Sequence, residues 1–221
     1  MDEKILRRYN SQEGADSYKG KFKRHWRERI NNRNEQQLLQ RLFTRLSPGT
    51  VKTALDIPCG YGRLFPILKR VAPHVVESDY SEYMLENARR YHEASGSVAA
   101  DYVQNDVLNL QFKDRAFDLV LSVRLCHHIR DYEERLQYLR EITRVSRCWV
   151  IFTYADSASL KNRLREIRRR VSSKRPKWTL KAKEVKETAE AAGFEVVESI
   201  PLSRLFSLHH YTMLRRKEPL P

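Results

Sequence analysis

The chain has 221 residues, a formal net charge of +14, and 41% hydrophobic against 32% charged residues. That is enough apolar material for one sizeable core in a single globular domain. No apolar run approaches membrane-span length, residues 1–8 contain no apolar signal core, and Cys59, Cys126 and Cys148 have neither metal-binding nor redox spacing. These features point to a cytoplasmic protein with reduced thiols and no metal site.

The basicity is uneven. Residues 1–50 carry 12 basic and 6 acidic side chains, and residues 160–183 carry 11 basic and one acidic, so the rest is slightly acidic. An anionic acceptor or an anionic surface is the expected partner; the alternative is a solvated basic face that binds nothing.

Taken in order, residues 1–32 are polar and basic, with Tyr9, Tyr18, Phe22 and Trp26 interspersed. Two readings stand: a nucleic-acid-binding segment, or a helical arm whose aromatic residues pack on the domain. Residues 34–46 read as a helix with Leu38, Leu39, Leu42, Phe43 and Leu46 on one stripe, ended by Ser47-Pro48-Gly49.

An apolar run over 51–57 then leads into a loop holding Gly60 and Gly62, followed by a helical pattern of Leu64, Phe65, Ile67, Leu68 and Val71. Strand, tight turn and helix in that order offer positive-φ backbone and unpaired N–H groups to a ligand. Phe65 stands where a dinucleotide fold needs its third glycine, which argues against a pyrophosphate site. Asp56 precedes the loop, and Asp79 ends the next apolar strand at the distance where such folds hold a ribose.

Ser81 is a suitable N-cap for a helix to residue 94, strands are expected over 98–104, 116–123 and 148–154, and Asp131 starts a helix between the last two. Residues 156–178 form a basic insertion. Thr179 should cap a helix over 180–192 closed by Gly193, with strands over 194–200 and 209–214 to follow. Alternating strands and helices predict a doubly wound α/β sheet, whose ligands bind at the strand carboxyl ends.

Within that pattern, Leu55-Asp56-Ile57-Pro58-Cys59-Gly60-Tyr61-Gly62 resembles the first motif of class I S-adenosylmethionine-dependent methyltransferases, with Pro58 in place of the usual glycine. Residues 78–85 resemble the second motif, Asn105-Asp106-Val107 the third, and 117–122 with His127-His128-Ile129 the fourth. The resemblance runs over roughly residues 9–217 in unbroken order. It implies a Rossmann-like seven-stranded sheet, mostly parallel with an antiparallel last strand. It divides the chain into an N-terminal arm over 1–50, covering the cofactor site, and a methyltransferase domain over 51–221.

The resemblance also assigns roles. Asp56, Pro58 and Cys59 would belong to the S-adenosylmethionine site, where Gly60 and Gly62 would let the backbone pass under the methionine portion. Asp79 would accept from both ribose hydroxyls. Tyr80 and Met84 would flank the adenine, Asp106 and the Val107 N–H would pair with it, and Ser122 lies at the end of the fourth strand. Tyr9 and Tyr18 are the candidates for an arm residue covering the cofactor. Methyl transfer from a sulfonium needs alignment more than acid–base help. His127 or His128 would serve as base for a protonated acceptor, and Arg124 would hold an acceptor anion.

The fourth strand is followed by Ser122-Val123-Arg124-Leu125, not the Asn/Asp-Pro-Pro-Tyr of amino methyltransferases acting on nucleic acids. The acceptor is therefore read as an anionic small molecule or lipid-linked compound. An RNA methyltransferase and a non-catalytic cofactor-binding or basic interaction module are the alternatives. In the insertion, Leu160, Leu164, Ile167 and Val171 recur on one helical face among Lys161, Arg163, Arg165, Arg168, Arg169 and Arg170. That pattern predicts an acceptor lid, with peripheral contact at the inner membrane surface.

Overall fold

A computed structural model describes residues 10–17, 26–96, 101–169, 178–203 and 207–217. Tyr9, Tyr18 and residues 170–177 of the insertion lie outside the described residues. The strands are β1 (Thr53–Asp56), β2 (His74–Asp79), β3 (Asp101–Gln104), β4 (Phe117–Ser122), β5 (Ser146–Ala155), β6 (Phe194–Pro201) and β7 (His209–Arg216). Following a short helical stretch over 12–17, the named helices are α1 (Trp26–Phe43), α2 (Phe65–Leu68), α3 (Glu82–Ala94), α4 (Tyr132–Arg144), α5 (Leu160–Arg169) and α6 (Ala182–Ala191).

The seven strands form one sheet in the order β3-β2-β1-β4-β5-β7-β6, parallel except for β7, which runs antiparallel to both neighbours. The order reverses between β1 and β4, so the switch-point crevice opens at their carboxyl ends. Side-chain alternation divides the core between the two faces. Leu55, Val120, Val150, Phe152 and Leu214 pack with α4 and α6. Ala54, Leu119, Leu121, Ile151 and Met213 pack with α1 and α2. At the opposite strand ends, Asp118 Oδ2 accepts from the Lys52 and Thr53 N–H groups at 2.8 and 3.0 Å and fixes the β1–β4 register.

Ser81 and Asp131 cap their helices as expected, accepting from the Met84 and Glu134 N–H groups. Two local expectations are corrected. The helix after the glycine loop closes after one turn, at Leu68, instead of reaching Val71. Thr179 does not cap α6: Leu180 is drawn into a bridge with Asp156, and the cap passes to Lys181, whose N–H donates to the Glu184 carboxylate at 2.8 Å. Of the two readings of the aromatic residues in the N-terminal segment, Trp26 at the start of α1 does not follow the packed one: it is 65% exposed. Among the described residues, no helix is long and apolar enough to cross a membrane.

Candidate active site

A cavity of about 640 Å³ opens at the switch point. Its floor is the loop after β1 and its walls come from α1, the ends of β2 and β4, and the start of β7. Pro58, Cys59, Gly60, Asp79, Tyr80, Met84 and Val107 line one end, and Arg124, His127 and His128 line the other. Asp56, Gly62, Asp106 and Ser122 are not among the lining residues.

At the first end, Gly60 has φ +59° and donates its N–H to Asp79 Oδ2 at 3.0 Å, while Asp79 Oδ1 accepts from the Ser81 N–H at 3.0 Å. The carboxylate thus ties loop to strand. Burial pushes the Asp79 carboxyl up to about 6, against the pull of the Ser81, Gly60 and Tyr80 N–H groups.

Gly62 has a different reason to be glycine. Its φ is +75°, and a Cβ there would lie 2.3 Å from Nε2 of His92. His92 is buried between the Gly62 carbonyl at 3.1 Å and the Tyr102 hydroxyl at 2.7 Å. The second glycine therefore admits a histidine from α3 and does not itself reach the cavity.

Beneath the loop lie two fully buried carboxyl groups, Asp56, with no hydrogen-bond partner on either oxygen, and Glu77, beside the Cys59 thiol. Burial pushes Asp56 up to about 8, with Arg63 opposing and Asp79 and Glu35 reinforcing. Glu77 is raised well above its ordinary range, by burial and then by Asp56. Asp56 therefore underlies the site and is protonated through most of the neutral range.

The other end is built around Glu35, a residue of α1 with no exposed surface. Its carboxylate pairs with Arg63 at 2.6 Å and Arg124 Nε at 2.9 Å and accepts a very short hydrogen bond from the Tyr211 hydroxyl. Burial works to raise its pKa, but the two guanidinium groups and these hydrogen bonds outweigh it and hold the group below its ordinary value. Arg63 also donates to Asn32 Oδ1 at 2.8 Å. Arg124 sits at φ +65°, its N–H held by Thr153 Oγ1 at 2.6 Å, a conformation rare outside glycine and common at functional sites.

His127 and His128 follow in a 3₁₀ turn, ring centroids 4.0 Å apart, and His209 from β7 brings its ring to 4.3 Å from His127. His209, Arg63 and Lys161 line the same cavity. The sequence reading missed Glu35, Arg63 and His209. Glu35 had a readable signal: it occupies the apolar stripe of α1 four residues before Leu39, where an acid needs a buried partner.

Asp106 is exposed, its carboxylate turned back onto the Leu108 N–H at 3.0 Å, and Asn105 and Val107 on either side reach the cavity instead. Ser122 Oγ accepts from the Tyr138 hydroxyl at 2.8 Å inside the core. Both act as local braces in this arrangement.

A sheet parallel at its switch point, with a glycine turn and a buried carboxylate at the strand ends, defines the class: an α/β protein with a ligand crevice of the kind that holds nucleoside cofactors. The model of the methyltransferase domain family matches residues 55–148. A methyltransferase-named protein of Encephalitozoon cuniculi (strain GB-M1) is 30% identical over 166 residues, covering 74% of this chain and 68% of that one. The probable tRNA methyltransferase 9B of Mus musculus is 31% identical over 98 residues, 44% of this chain, and the match spans only 20% of that protein's length. The crystal structure of magnesium protoporphyrin IX methyltransferase from Synechocystis PCC 6803 with bound S-adenosylhomocysteine has the same fold, with a TM-score of 0.80 at 18% identity over 98% of this chain and 100% of that one. The chain belongs to the S-adenosylmethionine-dependent methyltransferases.

Proposed function

We propose that the enzyme transfers the methyl group of S-adenosylmethionine to an anionic acceptor, a small molecule or a lipid-linked compound, bound at the Arg124–His127–His128 end of the cavity. One observation carries this reading: a single cavity joins a carboxylate end, Asp79, to an end lined by Arg63, Arg124, His127, His128, His209 and Lys161. The residues present fit the cofactor. The Asp79 carboxylate faces the cavity as an acceptor for ribose hydroxyls, Gly60 keeps the loop free of a side chain, and Tyr80 and Met84 offer an aromatic face and a thioether to a base. Asp56 and Gly62 support that loop from below and behind, while Asn105 and Val107 take the adenine edge first assigned to Asp106.

When bound, the sulfonium supplies an electrophilic methyl group and leaves as a neutral thioether. The protein's part is then positioning and proton removal. Arg124, held by Glu35, orients the acceptor anion, and His127 or His128 takes the proton of a hydroxyl or amine acceptor. The reading puts the protein in the cytoplasm, peripheral to the inner membrane surface when the acceptor is lipid-linked.

RNA is the second reading, favoured by the similarity to the tRNA methyltransferase relative and by the basic insertion. That similarity extends over 44% of the chain, about the length of the family match, and cofactor-binding motifs alone account for a match of that extent. The test is a methyl-transfer screen with radiolabelled cofactor against lipid, sugar-phosphate and RNA pools. Label in a phosphate- or carboxylate-bearing small molecule or lipid is expected; label in RNA alone would overturn the first reading in favour of the second.

A further inference from the structure

We propose that the rim of the cavity is a docking surface for an anionic lipid bilayer, formed by the outer faces of α1 and α5. Eight large apolar or aromatic side chains are exposed among the described residues, and four of them form two pairs on these helices. Trp26 and Ile30 are 65% and 48% exposed on α1, and Leu160 and Leu164 are 52% and 47% exposed on α5. Each pair is spaced i, i+4 and so lies along one side of its helix.

Both helices border the cavity: Glu28 and Asn31 of α1 line it, as does Lys161 of α5. Two helices that border one opening thus each carry an exposed apolar pair on their outward side, whereas exposed apolar residues elsewhere are usually scattered singly.

Charge selects the occupant. Arg29 and Arg33 are exposed on α1, as are Lys161 and Arg163 on α5, and the chain as a whole carries a net charge of +14. A second copy of so basic a face would be repelled. An anionic headgroup layer is attracted, at about fivefold in partitioning for each basic side chain near its surface. The apolar members favour lipid over RNA. Bases stack on aromatic rings, and three of the four side chains are aliphatic and offer no such face. Aliphatic side chains among basic ones match what enters the boundary between headgroups and acyl chains. Docked this way, the cavity mouth faces the headgroups, and an amphiphilic acceptor reaches His127 and His128 without leaving the surface. Only that last step rests on the proposed acceptor class; the docking does not.

The test is co-sedimentation of the full chain with vesicles of phosphatidylcholine alone or with about one third phosphatidylglycerol. Binding is expected only to the anionic vesicles and should collapse as salt rises past the Debye range. Leu160→Ser with Leu164→Ser, and separately Trp26→Ser with Ile30→Ser, should each weaken it about tenfold. Both pairs should leave the thermal midpoint and the calorimetric affinity for S-adenosylhomocysteine unchanged. Absence of vesicle binding at low salt, equal binding to neutral vesicles, or wild-type binding by both double variants overturns the proposal. Tight binding of an RNA oligonucleotide that is lost in these variants, without vesicle binding, also overturns it and gives the face to nucleic acid. Anionic-vesicle binding without a methylated lipid would leave the docking surface standing and remove the lipid-linked acceptor.

Discussion

The two ends of the cavity are built on opposite principles. The Asp79 end comes from residues close in sequence: a glycine turn, the strand end that follows it, and N–H groups from both converging on one carboxylate. The Arg124 end comes from residues far apart, with Glu35 of α1, Arg63 after the glycine loop, Arg124 after β4 and Tyr211 of β7 meeting at one buried carboxylate. A local end depends on backbone geometry and tolerates changes elsewhere. A distributed end stands or falls with the charge at its centre, since a buried ion that loses its partner is costly.

The sharpest break is Glu35→Ala. It leaves Arg63 and Arg124 uncompensated, and a loss of about 3–5 kcal/mol is expected, seen as a thermal midpoint lowered by roughly 10 °C. A shift of only a degree or two would mean that the hub is not what joins α1 to the sheet. His127→Ala or His128→Ala should lower the methyl-transfer rate about a hundredfold and leave calorimetric cofactor affinity intact. A rate profile flat in pH for the parent enzyme would reduce that end to orientation alone.

Asp79→Ala acts on the other end. It should weaken cofactor binding by roughly 1.5–3 kcal/mol, while the acceptor KM at saturating cofactor is unchanged; a change in acceptor KM alone would undo the division between the ends.

Asp56 links the ends through pH. Its carboxyl is raised to about 8 in the folded protein, so the folded state holds a proton that the unfolded chain releases near the ordinary carboxylate value. Stability should therefore be highest in mild acid and fall as pH rises toward about 8, with a slope of up to about 1.4 kcal/mol per pH unit for this proton. Asp56→Asn should flatten that fall in denaturant titrations at several pH values, and an unchanged slope would move the effect to Glu77. The smallest effect separates the two possible caps of α6. Glu184→Ala should cost about 0.5–1 kcal/mol, and Thr179→Ala should be neutral by the same measurement.

The sequence by itself determined the alternation of strands and helices and the glycine turn after β1, because these follow from short-range patterns. Apolar strands alternate with helices, Ser81 and Asp131 cap their own helices, and Gly60 and Asp79 stand where a strand–turn–helix unit must bring them. Only the tertiary structure decided what the flanking residues do. Gly62 had the look of a second cofactor glycine, yet its space is taken by His92, thirty positions away. Asp106 sat in a matching motif, yet its carboxylate folds back onto the next turn. Glu35, Arg63 and His209 carried no local motif and acquired their roles through contacts that close across 28 to 176 positions. Backbone preference is written in neighbouring residues, whereas a buried charge finds its partners only after the sheet has folded and water has left.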